Sequence, residues 1–506
     1  MYRPGLGDCF LVSFGDGERA YHVLIDCGVF VGTPNEKATL QTLARHIVES
    51  VGGVTPGSTQ RLGAVVATHE HWDHVAGFFH ARDILQQLRP DEVWVAWTED
   101  PDQKIATELR AQHAERGAAL QMAAQQLAQS PSPYDRECGL ALADVLGFGG
   151  EASAEMLGSR FSRRSNEGME FVSNELPGKR QYLKPGQTME FPWIPGGLRV
   201  YALGPPMDRN ALSQNRTSLA EGFKSHQQDG AETALMAALL GADQSASDEE
   251  QKRGERLRPF DASRALPEED VFREIERRTV PLNAFASGVD ADAWQANLGL
   301  FREYQRDAER RIDADWLHSA AGLALQLDRS INNTSLVLAF EMVESGKVLL
   351  FVGDAELENW KSWQDMKFAI QDNDCGTQKE VTVRSLLERT VFYKVGHHGS
   401  GNATLRAALE QMTSPELVAA IPTDEVFARD KKKWEMPAAM LRPELLKRTK
   451  GRVIDATPSV LPIAKPDGAQ QLISDRAWQR FASAVNPKEA GSLYVDYVIG
   501  LPPGKE

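Results

Sequence analysis

A mixed α/β fold interrupted by two large, mainly helical insertions is predicted by three features of the sequence. Apolar runs of strand length occur in both halves of the chain, and helical patterns separate them. Three of these runs, closing at Thr68, Gly353 and Gly396, are followed at once by side chains of metal-ligating type. Strands whose ends share one rim of a sheet would bring those side chains together across hundreds of residues.

The elements follow in order. Asp8 to Phe14 and Tyr21 to Asp26 are β-rich runs joined at Gly15-Asp16-Gly17, the pattern of a hairpin. Leu40, Leu43, Ala44 and Ile47 repeat at helical spacing within Glu36 to Ser50. Leu62 to Thr68 is a continuous apolar run, as in a strand buried on both faces, and it ends at His69. A helix is expected from Ala76-Gly77-Phe78 to about Leu88, and a strand over Val93 to Trp97, completing a first core segment, 1–100. From Asp102 to Gln129 the composition turns to Ala, Gln and Leu, and irregular charged sequence follows to Pro185-Gly186. Residues 101–185 are therefore expected to be a helical insertion outside the sheet. Leu198 to Leu203 restores strand character within 186–207. The second insertion, 208–330, carries an expected helix over Ala231 to Leu240, a polar loop at Gln244 to Glu250, and helices between Asp292 and Leu325. Strands return in 331–506 at Ser335 to Phe340, Val348 to Gly353, Val391 to Val395 and Leu417 to Ile421.

At 506 residues, with 42% hydrophobic and 25% charged residues, the chain has the composition of a globular protein. No apolar run approaches the roughly 18 residues of a spanning helix, and the first residues lack the apolar segment of a signal peptide. Cys9, Cys27, Cys138 and Cys375 lie far apart with no C-x-x-C pair, so reduced, mostly buried thiols, a cytoplasmic location and no membrane association are expected. A net charge of −15 argues against nonspecific coating of nucleic acid. The basic stretch from Arg429 to Arg452 reads either as a solvated helix face or as a phosphate-binding patch.

The chemistry concentrates in His69-Glu70-His71-Trp72-Asp73-His74. Two imidazoles spaced by two residues reach one centre from extended backbone, and Asp73 and His74 follow on the next turn. Nitrogen and carboxylate donors suit zinc, iron or manganese. Without a cation such a cluster would be costly to bury. Asp354 offers a carboxylate able to bridge two cations, and cations so placed lower the pKa of bound water to about 7. Spacing leaves open whether His397 or His398 is a ligand. His22, His46, His80, His113, His226 and His318 are isolated and read as structural or solvated. Trp72 is expected to pack against the site wall, and Trp360, Trp363 and Phe368 to anchor a helix on the sheet.

The H-x-H-x-D-H run after a buried strand resembles the metallo-β-lactamase superfamily. Gly7-Asp8-Cys9-Phe10-Leu11, Leu24 to Gly28, Asn333 to Leu338, Val352-Gly353-Asp354 and Val395 to Ser400 resemble in particular the hydrolase domain of ComEC-type DNA-uptake proteins and its free-standing relatives. The likeness spans about half of the chain and neither insertion. It implies a four-layer αββα sandwich, two Zn²⁺ or Mn²⁺ ions and phosphodiesterase or nuclease activity. It places Asn333 where the superfamily has a further histidine, as a substrate contact or in the third-ligand position, and Asp26 behind the ligands, orienting one of them. Met436-Pro437 stands where the ComEC-type domain has His-Pro. We assign His69, His71, Asp73, His74, Asp354 and His397 to the metals, and Asp73 and His398 to catalysis.

The expected activity is metal-dependent hydrolysis of a phosphodiester in a nucleic acid or nucleotide. The acidic surface favours a small nucleotide or a strand threaded into a cleft. Hydrolysis of a carboxylic ester, lactone or thioester is the alternative chemistry. A regulated effector, docking a protein partner on the insertions, is the alternative role.

Overall fold

The computed structural model describes residues 1–15, 20–52, 61–129, 133–146, 164–213, 320–371, 378–465 and 473–500. The helix expected at Ala231 to Leu240, the polar loop at Gln244 to Glu250 and the helices expected from Asp292 up to residue 319 lie outside the described residues. So do His226, His318 and Cys375.

The described chain is a mixed α/β protein with several sheets. The first sheet joins β1 (Cys9–Phe14), β2 (Tyr21–Cys27), β3 (Arg61–Ala67), β4 (Glu92–Ala96) and β5 (Lys179–Leu183) in sequence order. β1 runs antiparallel to β2, and the remaining neighbours are parallel. Further strands are β6 (Thr188–Phe191), β7 (Leu198–Gly204), β8 (Val337–Met342), β9 (Lys347–Phe351), β10 (Lys367–Gln371), β11 (Gln378–Thr382), β12 (Thr390–Lys394), β13 (Val418–Ile421) and β14 (Val453–Asp455). Seven of them form the second sheet, in the order β14-β13-β12-β9-β8-β7-β6, parallel from β14 to β9 and antiparallel beyond. β10 and β11 pair separately.

Alternation along the strands sorts the side chains into separate cores. Ala64 and Val66 of β3, Leu349 and Phe351 of β9, and Val418 and Ala420 of β13 meet in one core between the two sheets. Val65 and Ala67 face the other way, against α1 (Glu36–Ser50) and α2 (Trp72–His80). Val348, Leu350 and Ala419 likewise turn outward, onto a core that includes Trp360, Trp363 and Phe368. The first two strands have the antiparallel register expected of a hairpin, from Phe14↔Tyr21 to Cys9↔Cys27.

One boundary needs correction. The sequence pattern puts the first insertion outside the sheet through residue 185, yet Lys179–Leu183 is the fifth strand of the first sheet. Its sequence, Lys-Arg-Gln-Tyr-Leu, is polar because it is the sheet edge, and only Leu183 is buried. The helical part is real: α3 (Lys104–Ala128) and α4 (Pro133–Leu146) pack on each other. They share a core of Leu120, Ala124, Leu127 and Leu142 with Leu323, Leu327 and Ile331 of α5 (Ala320–Asn332), the end of the second insertion. Both insertions thus meet beside the start of β8. Among the described residues no helix is long and apolar enough to cross a membrane.

Candidate metal centre

Parallel strands place their carboxyl ends on one rim, the usual location of ligands in open α/β sheets. β3 delivers Thr68 and His69 there, β9 delivers Asp354, and β12 delivers His397 and His398. β1 is antiparallel to β2, so its beginning lies on that rim too, and Asp8 arrives beside Gly28. Hydrogen bonds weld these ends together. Gly28 N donates to Asp8 O and Asp8 N to Asp73 O, both at 2.9 Å. Leu336 N donates to Thr68 O at 2.9 Å, which ties the two sheets directly behind His69.

The histidine run divides at the start of α2. His71 is still extended, with φ −68° and ψ 146°, whereas Asp73 and His74 lie on the first helical turn. Asp73 and His74 are thereby turned towards the second sheet. Candidate ligand atoms of Asp8, His74, Asp354 and His398 all lie within 4.8 Å of one another. His74 Nε2 is 3.2 Å and His398 Nε2 3.4 Å from Asp354 Oδ2, while His398 Nε2 meets Asp73 Oδ2 at 2.7 Å. The ring of His69 sits 4.2 Å from that of His74 and 4.8 Å from that of His71. The rim therefore gathers His69, His71, Asp73, His74, Asp354 and His398.

The pair at 397–398 departs from the assignment made on sequence. It is His398 that joins the group of four ligand-type side chains, not His397. Both residues adopt positive φ, 44° and 53°, so the chain turns sharply and sends the two rings apart. His397 contributes its main chain: its N–H donates to Asp354 Oδ1 at 3.1 Å, and its Nδ1 lies 3.9 Å from Glu356 Oε1. His398 is fixed from behind by Nδ1 on Pro422 O at 2.9 Å. Asn333 is buried with its side-chain oxygen lacking a hydrogen-bond partner, while its carbonyl accepts from Asn359 Nδ2 at 3.0 Å. Asp26, at φ 55°, accepts from Thr68 N and Thr68 Oγ1 and holds His74 Nδ1, each at 2.8 Å. Trp72 is fully buried away from the rim, its Nε1 donating to Glu36 Oε1 at 2.7 Å.

Three participants escaped the sequence reading. Asp8 was visible as part of the first strand, and pairing β1 with β2 would have put it on the rim. Lys394 ends the apolar run of β12; it is 1% exposed, with Nζ 2.5 Å from Asp8 Oδ2, 3.2 Å from Asp354 Oδ1 and 2.6 Å from Gly353 O. Asp328 stands on α5, inside an insertion whose sequence carries no sign of the site, with Oδ1 3.7 Å from His71 Nε2.

The electrostatics describe a carboxylate-rich basin. Burial raises the Asp8 carboxyl above its ordinary value although Lys394, His74 and His398 pull it down. Burial opposes ionisation of Asp354 as well, but His74, Lys394 and His398 outweigh it and leave its pKa well below the ordinary range. Asp328 is pushed well above by burial and by the carboxylates of Glu356 and Asp73. Burial acts against a charge on His74, yet Asp354, Asp8 and Asp26 raise its pKa well above normal.

The donor set fits divalent metals. Asp8 Oδ1, His69 Nε2, Asp73 Oδ1, His74 Nε2 and Asp354 Oδ2 are buried without a hydrogen-bond partner. Each such atom costs about 1–3 kcal/mol, more where it is charged, unless something compensates. Cations coordinated by imidazole and carboxylate would satisfy all of them at once. Comparison with protein-family models, curated proteins and solved structures found no significant match to the chain.

Proposed function

We propose that the chain is a metal-dependent hydrolase of the metallo-β-lactamase type, acting on phosphodiesters in a nucleic acid or nucleotide. One observation carries this reading: buried ligand atoms of Asp8, His74, Asp354 and His398 converge within 4.8 Å, with His69 and Asp73 against them. The core between the sheets, and the helix-covered cores outside each, support the four-layer αββα arrangement of that superfamily. The segments resembling the ComEC-type hydrolase domain favour phosphodiester chemistry.

His69, His71 and Asp354 would hold one Zn²⁺ or Mn²⁺, and Asp8, Asp73, His74, Asp354 and His398 offer donors for a second. Bound there, the ions would supply Lewis acidity and a water acidified enough to act as nucleophile near neutral pH. The chain's own groups arrange this. Asp26 keeps the proton of His74 on Nδ1, leaving Nε2 to face Asp354. Lys394 holds Asp354 Oδ1, so that Oδ2 is the oxygen turned to the imidazoles. With His398 among the donors, the ring of His397, whose pKa is lowered by burial, would be left as an uncharged hydrogen-bond donor to the substrate phosphate.

The test is hydrolysis of bis-p-nitrophenyl phosphate, plasmid DNA and a lactone by purified protein, with Zn²⁺ and Mn²⁺ added separately. Turnover of a phosphodiester, abolished by Asp354→Ala, is the expected outcome. Turnover of the lactone alone would replace phosphodiester chemistry with ester chemistry, and no turnover of any substrate would overturn the reading.

A further inference from the structure

We propose that Asp328 is a positioning residue for the metal centre: its carboxylate faces His71 Nε2 at ion-pair distance and orients that imidazole ring, so that the second insertion supports a site whose ligands come from the strand ends and the start of α2. The inference rests on the metal-centre reading above.

A ligating histidine uses one ring nitrogen and leaves an N–H on the other, which in protein metal sites is almost always taken by a carboxylate, a carbonyl or water. Asp26 fills that position for His74, and the Pro422 carbonyl fills it for His398. For His71 the carboxylate of Asp328 stands in that position, its Oδ1 3.7 Å from Nε2, an ion-pair distance rather than a hydrogen bond. That oxygen is buried and has no hydrogen-bond partner of its own. Its companion Oδ2 accepts from Asn332 Nδ2, one turn further along α5, at 3.3 Å. The carboxylate is thus held at one oxygen and presented with the other.

The helix that carries it is anchored independently of the metals. Leu327 and Ile331 sit in the core shared with α3 and α4, and Ser330 Oγ meets His113 Nε2 of α3 at 2.9 Å. His113 Nδ1 in turn lies 3.8 Å from Glu70, between His69 and His71. Packing of the helical layer thus holds the Asp328 carboxylate in place, and the carboxylate itself, not the stability of its helix, is what acts on His71.

The experiment measures metal affinity by competition with a chromogenic chelator on the full chain, for wild type, Asp328→Leu, Asp328→Asn and Ile331→Ala. Asp328→Leu should weaken one of two metal equivalents 10–100-fold. Asp328→Asn, which keeps an acceptor but not the charge, should lose less. Ile331→Ala loosens the same helix and should lower the thermal midpoint while leaving both affinities unchanged. Wild-type affinity in Asp328→Leu overturns the proposal, as does an equal metal loss in Ile331→Ala. If the leucine variant does not fold, an unchanged affinity in Asp328→Asn does the same. A wild-type chain that binds no metal would instead remove the functional reading beneath it.

Discussion

At the scale of single residues, the site is a problem of charge that Lys394 solves in part. Its ammonium is fully enclosed and touches both Asp8 and Asp354. Burial alone would lower its pKa, but the two carboxylates raise it above the usual value, so it stays charged. Removing one partner of a buried ion pair costs roughly 3–5 kcal/mol because the other charge is stranded. Lys394→Met should therefore destabilise the metal-free protein by about that amount in a denaturant titration, and a loss below about 1 kcal/mol would show that the carboxylates find another counterion. The histidines and Asp73 were legible in the sequence because they fall within six consecutive positions after an apolar run. Lys394 was not, since a lysine closing a strand reads as a solvated terminus until the neighbouring strand ends are in place. The choice between His397 and His398 depended on two positive φ values, which residue spacing does not encode.

At the scale of elements, precision comes from close approaches of backbone. Gly28, just after β2, lies so near the main chain of Asp73 and His74 that an added methyl would overlap both. Gly28→Ala should push α2 away from β2, lower stability by about 1–3 kcal/mol and weaken metal retention in the same variant. Wild-type stability with full metal content would show that the approach is not constrained. A second element, the turn at Trp97–Glu99 where β4 leads towards α3, carries a pH dependence. Burial and the carboxylate of Glu70 raise Glu99 from 4.5 to about 7, against Arg110, whose Nη1 is 3.6 Å from its Oε2. From about 4.5 to 7 the folded chain keeps a proton that the unfolded chain releases, so stability falls as pH rises through that window. The total is about 3 kcal/mol at 1.36 kcal/mol per unit. Glu99→Gln should flatten the stability profile between those limits and be the more stable protein at pH 8; an unaltered slope would refute it. β1 to β4 were readable from apolar periodicity. β5 was not, because an edge strand needs few apolar residues and its five residues look like loop.

At the scale of the whole molecule, two sheets back onto each other and the ends of both contribute to one rim. That convergence was foreseeable in outline, from strands that close on ligand-type residues. The meeting of the two insertions in a common core was not, because helical patterns reveal an apolar face and not its partner. The described parts of those insertions lie against the candidate metal centre through Asp328, His113 and Glu70. The most direct test of the central claim, that cations hold this cluster together, is elemental analysis of the untagged protein beside Asp73→Ala and Asp354→Ala. Close to two equivalents of zinc or manganese in the wild type, with a loss in each variant accompanied by loss of phosphodiesterase turnover, is the expected result. A wild-type chain free of metal, or variants that keep both metal and turnover, would contradict it.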